Sequence, residues 1–153
     1  MKILAIETST KYLGLSVVSE EGLIAEHSAL LERETSRFLV SGIRDMLKYN
    51  NMTLDDISAI AVSIGPGSFT GLRIGVTTAK GMGISSGKLV VGVPTLDVLV
   101  RNAVYFFGNI CAVVDAKKNM VYSALYQAKN AKISRKSKYV VEPIKDTLKK
   151  TTG

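Results

Sequence analysis

The chain has 153 residues, of which 46% are apolar, and this composition excludes a disordered protein and allows one domain or two small lobes. No apolar run reaches membrane-spanning length and the N-terminus shows no signal-peptide pattern, so we expect a cytoplasmic protein without membrane contact. The single cysteine, Cys111, excludes an internal disulfide, and the single histidine, His27, excludes a metal site built from histidines.

Hydrophobic patterning predicts three strands first, at 3–6, 13–18 and 23–31, and the second of them alternates with a period of two. A helix capped by Thr35 or Ser36 follows, and it carries one apolar face. The pattern then predicts a strand at 57–64, a helix at 72–85, a strand at 89–93 and a helix capped by Thr95 that reaches about residue 103. This order resembles the core of the actin-like, Hsp70 and sugar-kinase (ribonuclease H-like) fold, an α/β fold with a mixed sheet and helices.

A weak internal repeat with an offset of 108 places residues 3–18 over residues 111–126 without gaps. Each copy has an apolar strand that ends in an acid, Glu7 or Asp115, and then a polar turn and a second alternating strand. In that second strand, Val121, Ser123 and Leu125 take the places of Leu13, Leu15 and Val17. We therefore predict a first lobe at 1–108 and a short or truncated second lobe at 109–153, with a strand at 139–141 and a helix at 143–150. Chance similarity between two strand–turn–strand units is the alternative.

The formal net charge of +7 falls entirely in the last third of the chain. Residues 1–108 carry 10 Lys and Arg against 10 Asp and Glu, whereas residues 109–153 carry 10 against 3. Five of the basic residues crowd a linker-like stretch: Lys129, Lys132, Arg135, Lys136 and Lys138. Such a cluster can contact nucleic-acid phosphates or can be a solvated basic loop, and the sequence leaves both interpretations open.

A glycine-rich turn, Gly-Pro-Gly-Ser-Phe-Thr-Gly at 65–71, joins the fourth predicted strand to the second predicted helix. Turns of this kind hold a phosphate or dock another backbone. A P-loop is rejected because Leu72 and Arg73 stand where that motif needs lysine and then serine or threonine, and the glycine spacing does not fit the Rossmann fingerprint. What remains is a rigid turn in which Ser68 or Thr70 caps the helix.

The helix after this turn carries a stripe of small residues, Gly71, Gly75, Ala79 and Gly83, at every fourth position. Residues four apart lie on one helix face, so the stripe leaves that face bare. Each glycine costs about 1 kcal/mol of helix stability relative to alanine, which indicates that close approach of another element compensates. Packing onto its own sheet is one interpretation, and a subunit interface is the sharper hypothesis.

Two carboxylates are the candidates for catalysis. Glu7 and Asp115 each end the first strand of a repeat, where actin-fold phosphotransferases keep acids that hold metal–nucleotide or the attacking water. Those enzymes usually carry Asp-x-Gly-Thr there, and both turns of this chain lack the glycine. An actin-fold ATP-dependent phosphotransferase using Glu7 and Asp115 is therefore kept as the alternative function. His27 serves no recognisable triad, since the sequence has no nucleophile-elbow motif.

Several runs together resemble the TsaB (YeaZ) family: Ile-Leu-Ala-Ile-Glu-Thr-Ser at 3–9, Gly-Pro-Gly-Ser-Phe-Thr-Gly-Leu-Arg-Ile-Gly at 65–75, Gly-Val-Pro-Thr-Leu at 92–96, and Val-Asp-Ala at 114–116 with Val-Tyr at 121–122. The similarity extends to about Gln127. It implies an actin-like fold without a catalytic site, metal or cofactor of its own. It also implies a partner, the related TsaD, which uses ATP and a metal, and TsaE as a further member. Together they make threonylcarbamoyladenosine in tRNA beside the anticodon, with TsaB as a required scaffold.

The resemblance also implies an interface. In that family the first two helices of the N-terminal lobe pair across the contact with TsaD, and TsaB can pair with itself as a dimer. On this chain the expected interface residues are Ser36, Leu39, Val40, Ile43, Thr70, Gly71, Leu72, Gly75, Val76, Ala79 and Gly83.

The chain departs from the family pattern at two positions of the first helix region. Glu34 stands where many members have histidine before Thr-x-Arg, and Val40 replaces a proline. We expect the second change to alter helix packing at the interface. The C-terminal part is also shorter than the resemblance implies.

Overall fold

The computed structural model describes residues 1–31 and 35–151, so Glu34 lies outside the described residues. The chain divides into two compact units, Met1–Val93 and Pro94–Gly153. The sequence predicts this division at 108/109 instead. The helix that follows residue 94 belongs to the second unit because its Leu96 and Val100 are buried in that unit's core.

The first unit contains the predicted strands and helices in the predicted order. They are β1 (Lys2–Glu7), β2 (Tyr12–Ser19), β3 (Gly22–Leu30), α1 (Thr35–Tyr49), a 3-10 turn (Leu54–Asp56), β4 (Ala59–Ser63), α2 (Phe69–Ser86) and β5 (Leu89–Val93). The five strands form one mixed sheet in the order β3-β2-β1-β4-β5. The first three strands pair antiparallel, whereas β1–β4 and β4–β5 pair parallel. Parallel pairing needs a crossover, and α2 provides the one between β4 and β5.

The core of the first unit lies between this sheet and its helices. Alternate residues of the strands, such as Leu13, Leu15 and Val17 of β2, are buried because successive side chains of a strand point to opposite faces. The predicted apolar face of α1 is confirmed, since its four members are all buried: Leu39, Ile43, Met46 and Leu47.

The second unit is a smaller sheet with a helix at either end of its sequence. It contains α3 (Thr95–Val100), a 3-10 turn (Arg101–Ala103), β6 (Gly108–Asp115), β7 (Met120–Lys129), β8 (Lys132–Arg135), β9 (Val140–Pro143) and α4 (Ile144–Thr151). β7 pairs antiparallel with β6, β8 and β9. The predicted cap of α3 was wrong, because Pro94 holds the N-cap position and the buried Thr95 hydroxyl has no partner among the described residues.

The repeated strand–turn–strand unit is present in both units, but its ungapped alignment was wrong by one residue in the second strand. Glu7 pairs with Gly14, whereas the aligned Asp115 pairs with Val121, which is the counterpart of residue 13. The segment between the paired residues is one residue shorter in the second unit, 116–120 against 8–13. In β7 the residues buried against α3 are therefore Ala124 and Tyr126.

No helix among the described residues is both long enough and apolar enough to cross a bilayer.

Candidate functional site

The glycine-rich turn between β4 and α2 has the shape that its residues predict. Gly65 has a φ of 102°, a conformation that favours glycine, and it precedes a cis bond to Pro66. Ser68 is the N-cap of α2, and its Oγ accepts a hydrogen bond from the amide of Gly71 at 3.2 Å. Of the two predicted caps, Ser68 is thus the one that forms.

The first turn of α2 is already in contact with the turn between β1 and β2. The amide of Ser68 donates to the carbonyl of Ser9 at 2.6 Å. A Cβ on Gly67 would lie 2.3 Å from the Ser9 carbonyl oxygen, and a Cβ on Gly71 would lie 2.0 Å from the Thr8 carbonyl oxygen. The glycines are needed because backbone meets backbone there. Helix N-termini attract phosphates through free amides, and here the chain's own carbonyls approach that end.

The small-residue stripe of α2 continues this internal contact. Gly71, Gly75, Ala79 and Gly83 are all buried. A Cβ on Gly75 would lie 2.2 Å from the Thr8 hydroxyl, and one on Gly83 would lie 2.4 Å from Cγ2 of Val90 in β5. The hypothesis that this stripe faces another subunit is therefore corrected, because the stripe packs onto the β1–β2 turn and β5 of its own unit.

The remaining predicted interface residues divide by burial. Leu39 and Ile43 both belong to the core, but Ile43 also lines the groove described below, whereas Leu39 does not. Ser36, Val40 and Thr70 are exposed, and Leu72 and Val76 are half-buried. The part of the predicted interface that the structure leaves accessible is the outer surface of α1 and α2.

A shallow groove of about 750 Å³ lies beside α1 and is also lined by residues 51–54 and by Met82 of α2. Val40 is one of its lining residues, with 59% of its surface exposed. The other lining residues include Leu47, Met82 and the exposed cations Arg44 and Lys48. The predicted interface omitted these four residues. The apolar spacing of α1 pointed to Leu47 as a core residue, and we find no sequence signal that would have placed Met82 beside α1.

The two candidate catalytic carboxylates are each held by their own turn. Oε1 of Glu7 accepts from the amide of Ser9 at 2.5 Å, and Oε2 accepts from the Ser63 hydroxyl. Asp115 accepts from the amide of Lys117 at 2.7 Å and pairs with its ammonium group at 3.1 Å. The hydrogen bond from that amide, followed by one from the Lys117 side chain, lowers the pKa of Asp115. Both acids stabilise turns, and the phosphotransferase alternative gains no support from this geometry.

The single histidine and the single cysteine each lie on a strand of their own unit. His27 is exposed on β3, where it pairs with Leu15 of β2. Cys111 is half-buried in β6, and burial raises the pKa of its thiol, with a smaller contribution from the charge of Glu142. A raised pKa keeps the thiol protonated at neutral pH, which disfavours a nucleophilic role.

The basic stretch is a strand and a turn rather than a linker. Lys132 begins β8, and the turn before it contains Asn130 and Ala131, both with positive φ. The guanidinium of Arg135 lies 4.2 Å from the ring centre of Tyr139 and 4.0 Å from Oδ2 of Asp97. Arg135 is therefore engaged within its own unit.

Comparison with known proteins identifies relatives for most of the chain. The family model described as "TsaD: tRNA N6-adenosine threonylcarbamoyltransferase" matches residues 27–151. The tRNA threonylcarbamoyladenosine biosynthesis protein TsaB of Bacillus subtilis is 39% identical over 130 residues, which are 85% of this chain and 57% of the relative. TsaB of Escherichia coli is 35% identical over 129 residues, covering 83% of this chain and 55% of the relative. The chain thus spans little more than half the length of these curated relatives.

Solved structures agree with the sequence relatives. YeaZ from Pseudomonas aeruginosa superposes with a TM-score of 0.84 at 27% identity, covering 93% of this chain and 67% of that chain. A putative N-acetylmannosamine kinase from Listeria monocytogenes superposes with a TM-score of 0.53 at 16% identity over 88% of this chain and 49% of its own. The second likeness concerns the fold alone. It agrees with the predicted actin-like and sugar-kinase fold class, which is confirmed.

The family model is named for TsaD, whereas the individual relatives are named TsaB or YeaZ, and the relatives decide between the two names. The Bacillus subtilis protein exceeds one-third identity over most of this chain, and the Pseudomonas aeruginosa structure matches nearly all of it. The chain belongs to the TsaB (YeaZ) family.

Proposed function

We propose that this chain is a non-catalytic scaffold subunit in the biosynthesis of threonylcarbamoyladenosine in tRNA. Family membership supports this proposal, because the curated relatives in Bacillus subtilis and Escherichia coli are named tRNA threonylcarbamoyladenosine biosynthesis protein TsaB. In the proposal the chain pairs with TsaD, which holds the ATP and the metal, TsaE joins the assembly, and tRNA is reached through the complex in the cytoplasm.

The hydrogen bonds that Glu7 accepts within its own unit support a non-catalytic role for the chain. Its two carboxylate oxygens accept from Ser9 and Ser63, so the acid joins the β1–β2 turn to the end of β4. The first turn of α2 receives the Ser9 carbonyl in the same region. These groups stabilise the fold around the glycine-rich turn at 65–71. We therefore assign that turn a structural role.

The outer surface of α1 and α2 is the proposed contact with TsaD. It includes exposed Val40 and the shallow apolar groove that Val40 lines, and the exposed cations Arg44 and Lys48 line the same groove. An apolar centre with charged residues around it is the usual composition of a protein interface. The buried stripe supports this surface indirectly, because it fixes α2 on the sheet.

Light scattering of the chain mixed with TsaD tests the proposal. Wild-type chain should form a heteromeric complex and support tRNA threonylcarbamoylation when ATP and the other components are present. Val40→Glu should weaken the complex about tenfold or more, because a carboxylate would be buried in an apolar contact. Val141→Glu is the matched control, since Val141 of β9 is 53% exposed and Val40 is 59% exposed.

Three outcomes would contradict the proposal. One is the absence of any complex with TsaD. Another is a complex that Val40→Glu and Val141→Glu affect equally, which would remove α1 and α2 from the contact. The third is a chain that forms only dimers with itself, which would assign the surface to a second copy.

A further inference from the structure

Three aromatic side chains are exposed together in the second unit. Tyr105, Phe106 and Phe107 follow the 3-10 turn after α3, and they are 93%, 54% and 72% exposed. The ring of Phe106 turns back over Gly108, where a Cβ would lie 3.3 Å from it. Tyr105 and Phe107 therefore present most of their ring surface to solvent. Large rings in this position indicate a binding surface.

The register of the sheet places lysines at the same end of the unit. Gly108, the first residue of β6, pairs with Ala128 of β7, and the next residue of β7 is Lys129. Lys129 in turn pairs with Lys132 across the two-residue turn. Phe107 directly precedes the first of these paired residues, so it lies beside the end of the sheet that carries both lysines. We call Tyr105, Phe107, Lys129 and Lys132 the aromatic–lysine edge.

Lys129 and Lys132 are exposed and have no ion-pair partner among residues 1–31 and 35–151. Lys117 and Lys150 of the same unit, in contrast, each contact a carboxylate. Residues 94–153 carry 11 Lys and Arg against 4 Asp and Glu, so the unit as a whole is cationic. Two unpaired ammonium groups in this field attract anions.

We propose that the aromatic–lysine edge binds a single-stranded segment of RNA. Lys129 and Lys132 contact backbone phosphates, and Tyr105 and Phe107 stack on unpaired bases. Single-stranded nucleic acid is the partner with both an anionic backbone and flat ring faces at neighbouring positions, and aromatic side chains among basic ones are the usual means of binding it. The inference rests on the proposed function in one respect only, the identification of the RNA as a tRNA loop.

Fluorescence anisotropy of the full chain with a labelled RNA stem-loop tests the stacking. The comparison ligand is a blunt RNA duplex with the same number of phosphates, which offers no unpaired bases. The stem-loop should bind more tightly than the duplex. Phe107→Leu should weaken its binding roughly tenfold, since it keeps an apolar side chain but loses the ring face, and Phe107→Trp should restore binding.

Salt dependence tests the phosphate contacts. In Lys129→Gln/Lys132→Gln, the slope of log affinity against log salt should become shallower by about 0.7 for each lost contact. Lys117→Gln/Lys118→Gln is the matched control, because it removes two charges at the opposite end of β6 and β7. The control should leave the slope unchanged if the contact is local.

The two proposals fail separately. If the chain binds TsaD but the duplex binds as well as the stem-loop, or Phe107→Leu has no effect, the RNA inference is overturned and the proposed function stands. Self-association that Phe107→Leu abolishes, or preferred binding to anionic lipid vesicles, would also overturn it. If the stem-loop binds as expected but TsaD does not, the RNA site stands and the proposed partner falls.

Discussion

The carbonyl oxygen of Ser9 accepts a hydrogen bond from the amide of Ser68, with 2.6 Å between nitrogen and oxygen. This bond joins the turn after the first strand to the first turn of α2. The two segments contact each other, and glycines at 67 and 71 permit the close approach. The contact gives the glycine-rich turn at 65–71 a structural role that is independent of any ligand.

Gly71→Ala should destabilise the chain by about 2–3 kcal/mol, because the new methyl group would lie 2.0 Å from the Thr8 carbonyl oxygen and the backbone would have to move. Urea unfolding followed by circular dichroism measures the change. Gly81→Ala is the matched control in the same helix, since a Cβ there meets nothing within 4 Å. It should stabilise the chain by about 0.5–1 kcal/mol. Equal effects of the two substitutions would contradict the internal role of the stripe.

Ser63→Ala should cost about 1.5–3 kcal/mol, because the buried Ser63 hydroxyl donates to the Glu7 carboxylate. The free energy of unfolding is again the measured quantity. Ser85→Ala is the control, since the exposed Ser85 hydroxyl donates to the Met82 carbonyl of its own helix. We expect that change to stay within about 0.5 kcal/mol. A neutral Ser63→Ala would mean that Glu7 does not depend on this donor.

Asp97→Asn should lower the pH at which the tyrosines of the second unit ionise. Tyr126 and Tyr139 donate to Oδ1 and Oδ2 of Asp97 at 2.7 and 2.8 Å. Burial first, and then these hydrogen bonds, raise the pKa of both phenols. Their contribution to stability is therefore complete below about pH 10 and is lost at higher pH, because the unfolded chain releases these protons first.

The ultraviolet absorbance of phenolate during an alkaline titration reports this change. Asp97→Asn should show more ionised tyrosine between about pH 10 and 12 than wild type does. Asp146→Asn, which removes an exposed partner of Lys149, should leave the titration curve in place. If both variants titrate like wild type, Asp97 has no influence on the two phenols.

Ala131→Gly should stabilise the β7–β8 hairpin by about 1 kcal/mol. Ala131 has a φ of 56°, and it follows Asn130 with a φ of 52° in a two-residue turn where Asn-Gly is the favoured sequence. Ala29→Gly in β3 is the control, and it should lose about 0.5–1 kcal/mol because strand glycine costs entropy. Thermal unfolding of the two variants separates these opposite signs, and destabilisation by Ala131→Gly would contradict the turn geometry.

Local patterns predicted most elements of the first unit. The alternation of β2 and the apolar face of α1 follow directly from burial, so the spacing of apolar residues was sufficient there. The predicted caps of α1 were wrong, because Thr35 and Ser36 already lie inside the helix. The second unit was harder, because a turn one residue shorter shifts the pairing of Asp115 without changing the strand pattern. The strand β8 was missed because its basic residues read as a linker.

The candidate site was predicted less completely than the fold. Val40, one of the predicted interface residues, is exposed, but Leu47 and Met82 lie beside it only because α1 and α2 pack together. The same limit applies to the aromatic–lysine edge. Phe107 and Lys129 are far apart in sequence, and the pairing of β6 with β7 brings them to one end of the sheet.

The spacing of Gly71, Gly75, Ala79 and Gly83 established that one face of α2 is bare and that another element comes close to it. A spacing of four residues is sufficient for this prediction, because helix geometry alone places such residues on one face. The pattern does not identify the element that packs against this face, because a neighbouring strand and another subunit would both fit it. Folding brings Thr8 and Val90 against it, and the glycine stripe becomes part of the interior.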